Sequence, residues 1–583
     1  MASSSMLADY VSKQTNIDNV HDSHNKRTIF SRKKNKILRW IIFIMVVILS
    51  IATTAIVTYY ITKSTYYNMP QTNTTSQNEE IVTDFIIIGG GTAGCVVAAR
   101  LAEYGFETLL LTSGSNDTLN PMMREKSSYS RLEQALHFRH YLPAQPSPYL
   151  NQRILNIVVR NTLGGNSING GGMERMMQND WTYFVNATND QSYHHQYMST
   201  YYKMVENFTS TAANSTSQDH GHSGPIIITQ VYDTIFDNVW KNVAKELSET
   251  FTNDLAGPID YGFSFEPSAF TNGLRSWSGD AYLTSRMSKY PNLKVITGAT
   301  VTKLDVNEKT KHIDNVLFVS SNGLFKGRAR KECILSAGAI YSPHLLMLSG
   351  IGDSEILQQN NITVKHELKQ VGKNLMDNGF ITLEYSTNNF SMGNSIPVGL
   401  INSQSPTTNT NPDIFFILKM NQLTEHLYVV LFSASPKSSG SYVSLYNSNP
   451  LIPPKLNLAY FENQNDIKIF VNGINYVRKV MLTSSIKQHG EINEILPGID
   501  VVNLTAYVIE KISSTNHFMG TCSMGKNEQN SVVDSNFKVH GIDNLRIVDA
   551  SIFPAGFASK SGPCLTVHAL AEKAAHILQQ NYS

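Results

Sequence analysis

Asp84–Thr112 reads DFIIIGGGTAGCVVAARLAEYGFETLLLT, and few folds accommodate it. A β-branched run, Phe85–Ile88, enters Gly89-Gly90-Gly91-Thr92-Ala93-Gly94. A helix-forming stretch over Cys95–Tyr104 follows, Gly105 marks its end, and Thr108–Leu111 is a second apolar strand. That is a βαβ unit of about 30 residues. Gly89 permits the tight turn, Gly91 lets the backbone approach a pyrophosphate, and Gly94 lets the helix pack close to the strand. With Thr92 and Ala93 they form an expected phosphate cradle, in which the helix N-terminus offers free N–H groups to negative charge. After the second strand, where an acidic residue commonly takes ribose hydroxyls, stands Thr112. A neutral hydroxyl gives a hydrogen bond about half as strong as a charged partner.

The rest of the chain narrows the class by exclusion. It has 583 residues, 41% hydrophobic and 16% charged, enough for two joined globular domains. A net charge of +1 offers nothing to nucleic acid. The cysteines Cys95, Cys333, Cys522 and Cys564 are too few for a disulfide framework and not at metal-ligand spacing. His194-His195 and the pair His220/His222 lie in polar, loop-like sequence without carboxylates at ligand spacing, so solvated loops and no metal site are expected.

Trp40–Thr62 holds no charge over 23 residues, enough to cross about 30 Å of hydrocarbon as a helix. Lys26, Arg27, Arg32, Lys33, Lys34, Lys36 and Arg39 precede it. The positive-inside bias then predicts a cytosolic tail (1–39), a membrane span (40–62), a stalk (63–83) and a lumenal or extracellular body (84–583). Asn-x-Ser/Thr sequons recur from Asn73 to Asn581, as in a glycoprotein, though so Asn-rich a chain yields several by chance.

Later segments add a pattern in a set order: Arg160–Gly170 (RNTLGGNSING), Gly323–Ser336 leading into Ala337–Gly352 (AGAIYSPHLLMLSGIG), Val371–Asn378 (VGKNLMDN), Asn516–Gly525 (NHFMGTCSMG), Ser531–Asp534 (SVVD) and Val539–Pro554 (VHGIDNLRIVDASIFP). From residue 84 to the end, the chain resembles the glucose–methanol–choline (GMC) oxidoreductase family. The resemblance implies a mixed α/β fold. It has a Rossmann-like FAD domain assembled from discontinuous segments, about 84–180, 270–352 and 510–583. It also has a substrate domain, about 181–269 and 353–509, built on an antiparallel sheet. It further implies that Gly164, Gly165, Ser167 and Asn169 lie over the flavin, that Val301 passes the adenine, and that Asp549 and Ala550 meet the phosphate and ring edge. No histidine stands among Asn166–Asn169, so the FAD is expected to be non-covalent.

By the same resemblance, His517 is the base that takes the hydroxyl proton while hydride passes from the carbinol carbon to the flavin, in an oxidase or dehydrogenase acting on a CH–OH group. An imidazole suits that role because it titrates near neutrality. The family's second His or Asn, counted back from Ala571-Glu572-Lys573, falls on Gly562, and its usual histidine after VGxNLxD is Asn378. Lys560, Ser561 and His568 stand near the changed position but read as structural. These departures keep two alternatives in view: an FAD-binding body that no longer oxidises alcohols, and a hydroxynitrile lyase. Substrate and electron acceptor are not specified by the sequence.

Overall fold

A computed structural model describes residues 80–583 except 126–138, 170, 212–218, 233, 258, 285, 404–411 and 422–423. Its first sheet has seven strands. They are β1 (Glu80–Ile88), β2 (Thr108–Leu111), β3 (Leu293–Ile296), β4 (Thr300–Val306), β5 (Ile313–Ser320), β6 (Gly323–Leu335) and β7 (Leu545–Ile547). The order is β3-β2-β1-β6-β5-β4, with β7 beside the end of β6. Strands β3, β2, β1, β6 and β7 run parallel, while β4, β5 and β6 form an antiparallel meander. Phe85–Ile88 are buried on both faces, which is why this strand is continuously apolar and not alternating.

Helix α1 (Thr92–Glu103) follows β1, and the C-terminal helix α3 (Cys564–Tyr582) packs against it. Arg100 of α1 meets the buried Glu572 of α3 through Nε at 2.8 Å, and Tyr282 donates to the same carboxylate at 2.8 Å. Helix α2 (Gly338–Leu348) leaves the end of β6 and is buried along most of its length.

The second sheet is antiparallel and also seven-stranded. Its main order is 491–496, 379–388, 426–433, 414–421, 397–401, 262–265, and Ser513–Ser514 pairs with Gly379 and Phe380. Ile414–Asn421 alternates as a strand with two different neighbours should. Phe415, Ile417 and Lys419 face a cavity, while Phe416 on the other side meets Tyr476 of the helix Asn465–Met481.

The structure corrects several expectations. Residues 80–83, placed in the stalk, are strand: Glu80–Thr83 pair in register with Lys326–Ala329. Helix α1 begins at Thr92, three residues before the expected Cys95. The expected membrane placement is overturned: among the described residues no helix is long and apolar enough to cross a membrane, and residues 40–62 lie outside them. The lumenal or extracellular body is dropped with it, and the single-pass anchor and the glycoprotein reading are left unsupported.

Candidate functional site

One cavity of about 840 Å³ runs between the two sheets. At one end lies the glycine turn. Gly89 has φ +106°, and a Cβ there would stand 2.5 Å from Ser336 O. A Cβ on Gly94 would stand 1.9 Å from Gly89 O, so helix and strand approach as closely as backbones can. A Cβ on Gly91 would meet only Ser336 O, at 3.7 Å, and Gly91 lines the cavity with Thr92 and Ala93. No side chain caps the start of α1. Its first N–H groups are therefore free to bind an anion.

The second glycine loop is laced to the first: Gly164 N–H donates to Gly90 O at 2.8 Å, and Thr92 Oγ1 to Gly164 O at 3.4 Å. Gly165 and Asn169 line the cavity. Ser167 sits one layer behind, its hydroxyl donating to Gly164 O at 2.7 Å and accepting from Ser278 N at 3.2 Å. Thr112 and Val301 line the same wall. The Thr112 N–H donates to Ile296 O, and its Oγ1 accepts from Gly114 N. Ala550 also lines the cavity, beside Asp549. The Asp549 carboxylate is engaged by the protein itself, accepting from Gly338 N at 2.8 Å, Ser342 Oγ at 2.5 Å and Ser551 N at 2.8 Å. It thereby ties the start of α2 to the segment after β7.

His517 stands at the other end of the cavity. Its loop bridges the VGKNLMDN segment through Met376 and Met519, whose N–H and C=O groups exchange bonds of 2.9 and 3.0 Å. Asp377 braces the loop. It accepts from His517 N at 2.8 Å, Thr515 Oγ1 at 2.8 Å, Ser514 Oγ at 2.5 Å and the Tyr460 hydroxyl. Burial nevertheless holds the Asp377 carboxyl up at about 6. Burial alone pushes the His517 imidazole down to about 4, so it is neutral at pH 7.

Gly562 lies against that imidazole, with φ +111°. The neighbours that could have replaced its missing side chain are occupied elsewhere. Lys560 Nζ is paired with buried Asp180 at 2.5 Å, and the Ser561 hydroxyl donates to Arg175 O. The His568 ring lies between Ser278 Oγ and Cys564 O, 2.8 Å from each. Asn378 donates through Nδ2 to Ser433 O at 2.8 Å, while its buried Oδ1 has no partner.

Among the described residues no group of His, Cys, Asp and Glu could hold a metal ion. His220 is nevertheless not the solvated loop residue expected. It is 7% exposed, stacks on Phe208, and lies 3.0 Å from both Glu206 and Asp254. Those carboxylates are distant in sequence, and only folding brings them to it. Cys95, Cys333 and Cys522 are buried, whereas Cys564 is half-buried and lines the cavity. Sequence reasoning also missed the bracing by Asp377, which lay unremarked in a quoted motif, and a pair of glutamates, Glu174 and Glu266, in the cavity wall.

Comparison with known proteins agrees with this architecture. The chain is 28% identical over 533 residues to an alcohol dehydrogenase [acceptor] of Pseudomonas putida, covering 84% of this chain and 94% of that protein. It is 26% identical over 508 residues to an oxygen-dependent choline dehydrogenase of Ectopseudomonas mendocina, covering 80% and 88%. In fold it matches a formate oxidase of Aspergillus oryzae (TM-score 0.78, 21% identity, 87% and 99% covered) and a pyridoxine 4-oxidase (TM-score 0.76, 22% identity, 85% and 98% covered). The family models described as GMC oxidoreductase match residues 83–379 and 436–571. Over most of its length, therefore, this chain belongs to the GMC oxidoreductase family.

Proposed function

We propose that the protein is an FAD-dependent oxidoreductase that oxidises the CH–OH group of a small alcohol, with His517 as the base. The observation that carries this reading is that one cavity joins the glycine turn to His517. The residues present fit a dinucleotide: Gly91 leaves open space over a helix N-terminus without a side-chain cap, and Val301 lines the wall beyond the end of β2. When bound, the flavin supplies the hydride acceptor.

The remaining work falls to the chain. Gly91, Thr92 and Ala93 would hold the pyrophosphate of the FAD, and Gly165 and Asn169 would face its ring. No histidine stands among Asn166–Asn169 to tether it, so the FAD is held non-covalently. His517 is neutral and can accept the hydroxyl proton. Asp377, which accepts from the His517 N–H and from the Ser514 and Thr515 hydroxyls, fixes where that imidazole stands. Gly562 leaves room beside the ring but no second donor, so the alcohol oxygen is positioned chiefly by His517.

That same glycine favours a second reading, in which the body binds FAD and turns over slowly or not at all. One experiment separates the two. The purified protein is mixed anaerobically with a panel of alcohols, and its visible absorption is followed. Bleaching of a flavin spectrum by any alcohol supports the oxidoreductase. A flavin spectrum that none bleaches supports the second reading, leaving the lyase to be tested by cyanide release from mandelonitrile. A folded protein with no flavin overturns both.

A further inference from the structure

The face of the second sheet that lines the cavity is paved with rings. Phe380, Phe415 and Phe432 come from the strands 379–388, 414–421 and 426–433, and all three line the cavity. They are cross-strand partners: Phe432 lies opposite Phe380 on one side and opposite Phe415 on the other. Residues directly opposite one another in an antiparallel sheet share a face. The Phe415 and Phe432 rings are stacked, with centroids 5.6 Å apart and planes 26° apart. Phe380 lies 6.0 Å from Phe432 at 44°. Ile417 and Val430, an opposed pair on the same face, extend the surface.

An interior sheet face is normally covered by packing. Phe415 and Ile417 do belong to a small apolar cluster with Val398 and Leu400, apart from the main core. Phe380, Val430 and Phe432 are only half-buried. Apolar surface left open inside a cavity is surface that a ligand can cover. This wall is also built onto the His517 loop. Phe380 pairs with Ser513, four residues before His517, and the carbonyl of Asn378 accepts from Thr515 Oγ1 at 2.6 Å. Leu451, 43% exposed, and Ile452 line the same cavity and carry the apolar lining to the surface.

The charges around the wall suit a neutral ligand. His517 is uncharged at pH 7, and Lys560 is paired with Asp180. Burial first, and then Glu266, hold the Glu174 carboxyl well above the usual range, which favours its neutral form. Lys419, two residues beyond Ile417 on the same strand and face, puts a positive charge at the end of the wall and opposes a cation. Nor do the rings surround a point, as a cage for a quaternary ammonium does. They lie side by side, and a pavement of rings receives a flat ring by offset or edge contact.

We propose that the face made by Phe380, Phe432 and Phe415 binds the body of the substrate, so that the alcohol is an uncharged arylmethanol with its ring on these side chains and its CH–OH group at His517. This rests on the reading of the cavity as an alcohol site.

The test reads binding apart from turnover. The full-length protein is titrated calorimetrically at pH 7.5 with amides that have no CH–OH group to oxidise: benzamide, cyclohexanecarboxamide and acetamide. Tetramethylammonium is the cationic probe. Benzamide should bind about two- to tenfold tighter than cyclohexanecarboxamide, although the saturated ring is the larger apolar body. It should bind at least about tenfold tighter than acetamide or tetramethylammonium. Phe432→Leu keeps an apolar side chain and removes the central ring, so the ratio of benzamide to cyclohexanecarboxamide affinity should fall to near one. The ligand comparison on the parent protein stands even if the variant does not fold. Cyclohexanecarboxamide bound as tightly as benzamide overturns the proposal. So does tighter binding of tetramethylammonium, or a Phe432→Leu protein that loses its flavin and keeps the ring preference, since the wall would then cover the cofactor. Ring-selective binding without flavin reduction by benzyl alcohol or any other alcohol would keep this surface and reject the oxidoreductase reading. Reduction by saturated alcohols without ring preference would do the reverse.

Discussion

Gly562 lies against the His517 ring: a methyl group on residue 562 would stand 3.1 Å from His517 Cε1 and 3.6 Å from both ring nitrogens. The backbone at Gly562 also has φ +111°, which side chains rarely adopt. Inserting an Asn or His here therefore will not supply a second hydrogen-bond donor. Gly562→Asn and Gly562→Ala should each cost about 1–3 kcal/mol of stability from strain. They should also displace the imidazole and lower kcat/KM by about 10- to 100-fold. Thermal melts and steady-state kinetics on the alcohol that first bleaches the flavin read both effects.

His517→Ala should leave bound flavin in place while slowing its reduction by about 10²- to 10⁴-fold, the usual range for a lost general base. Burial sets the pH dependence. The imidazole must be neutral to accept a proton, and its pKa lies at about 4. The acid limb of kcat/KM should therefore fall near pH 4 and not near 6.5. Stopped-flow reduction from pH 4 to 8 checks this, and a parent limb near 6.5 would show that His517 is solvated in the working protein.

Asp377 titrates in the opposite sense. Its folded-state pKa of about 6 lies above the ordinary 3.8. The folded state therefore holds the extra proton between these values, and this group adds stability as pH falls from 6 toward 4, by up to about 3 kcal/mol. His517, depressed from 6.5 to about 4, loses stability over nearly the same window. Asp377→Asn removes only the first effect. The stability gap between parent and variant should accordingly widen as pH falls from 7 to 4, as urea denaturation at several pH values would show. The variant should also raise KM or lower kcat, because the His517 loop loses its brace.

Gly94→Ala should be among the most damaging single changes in the chain. Its Cβ would lie 1.9 Å from Gly89 O, so α1 must move off β1. We expect a loss of several kcal/mol, in the range that overpacking reaches only where backbone blocks relaxation. The ratio of flavin to protein absorbance should fall to near zero in whatever soluble fraction remains. Gly105→Ala, where nothing lies within 4 Å, is the control: its penalty comes from φ +92° alone.

What the sequence determined by itself is what local chemistry decides. The glycine turn, the flanking strands and the helix between them lie within about 30 residues, and their spacing admits few alternatives. Motif order then placed Thr112, Val301, Ala550 and His517, which line one cavity although up to 438 residues separate them, from 112 to 550. Tertiary structure decided the rest, because burial and charge depend on partners distant in the chain. The pKa of His517 follows from its enclosure. Asp377 became its brace because Met376 and Met519 pair, and Glu206 and Asp254 turned His220 from a loop residue into the centre of a buried ion network. Glu174 and Glu266 look like two surface glutamates in the sequence. Only the packing of the second sheet against the glycine loop removes them from water and sets them side by side over Gly172.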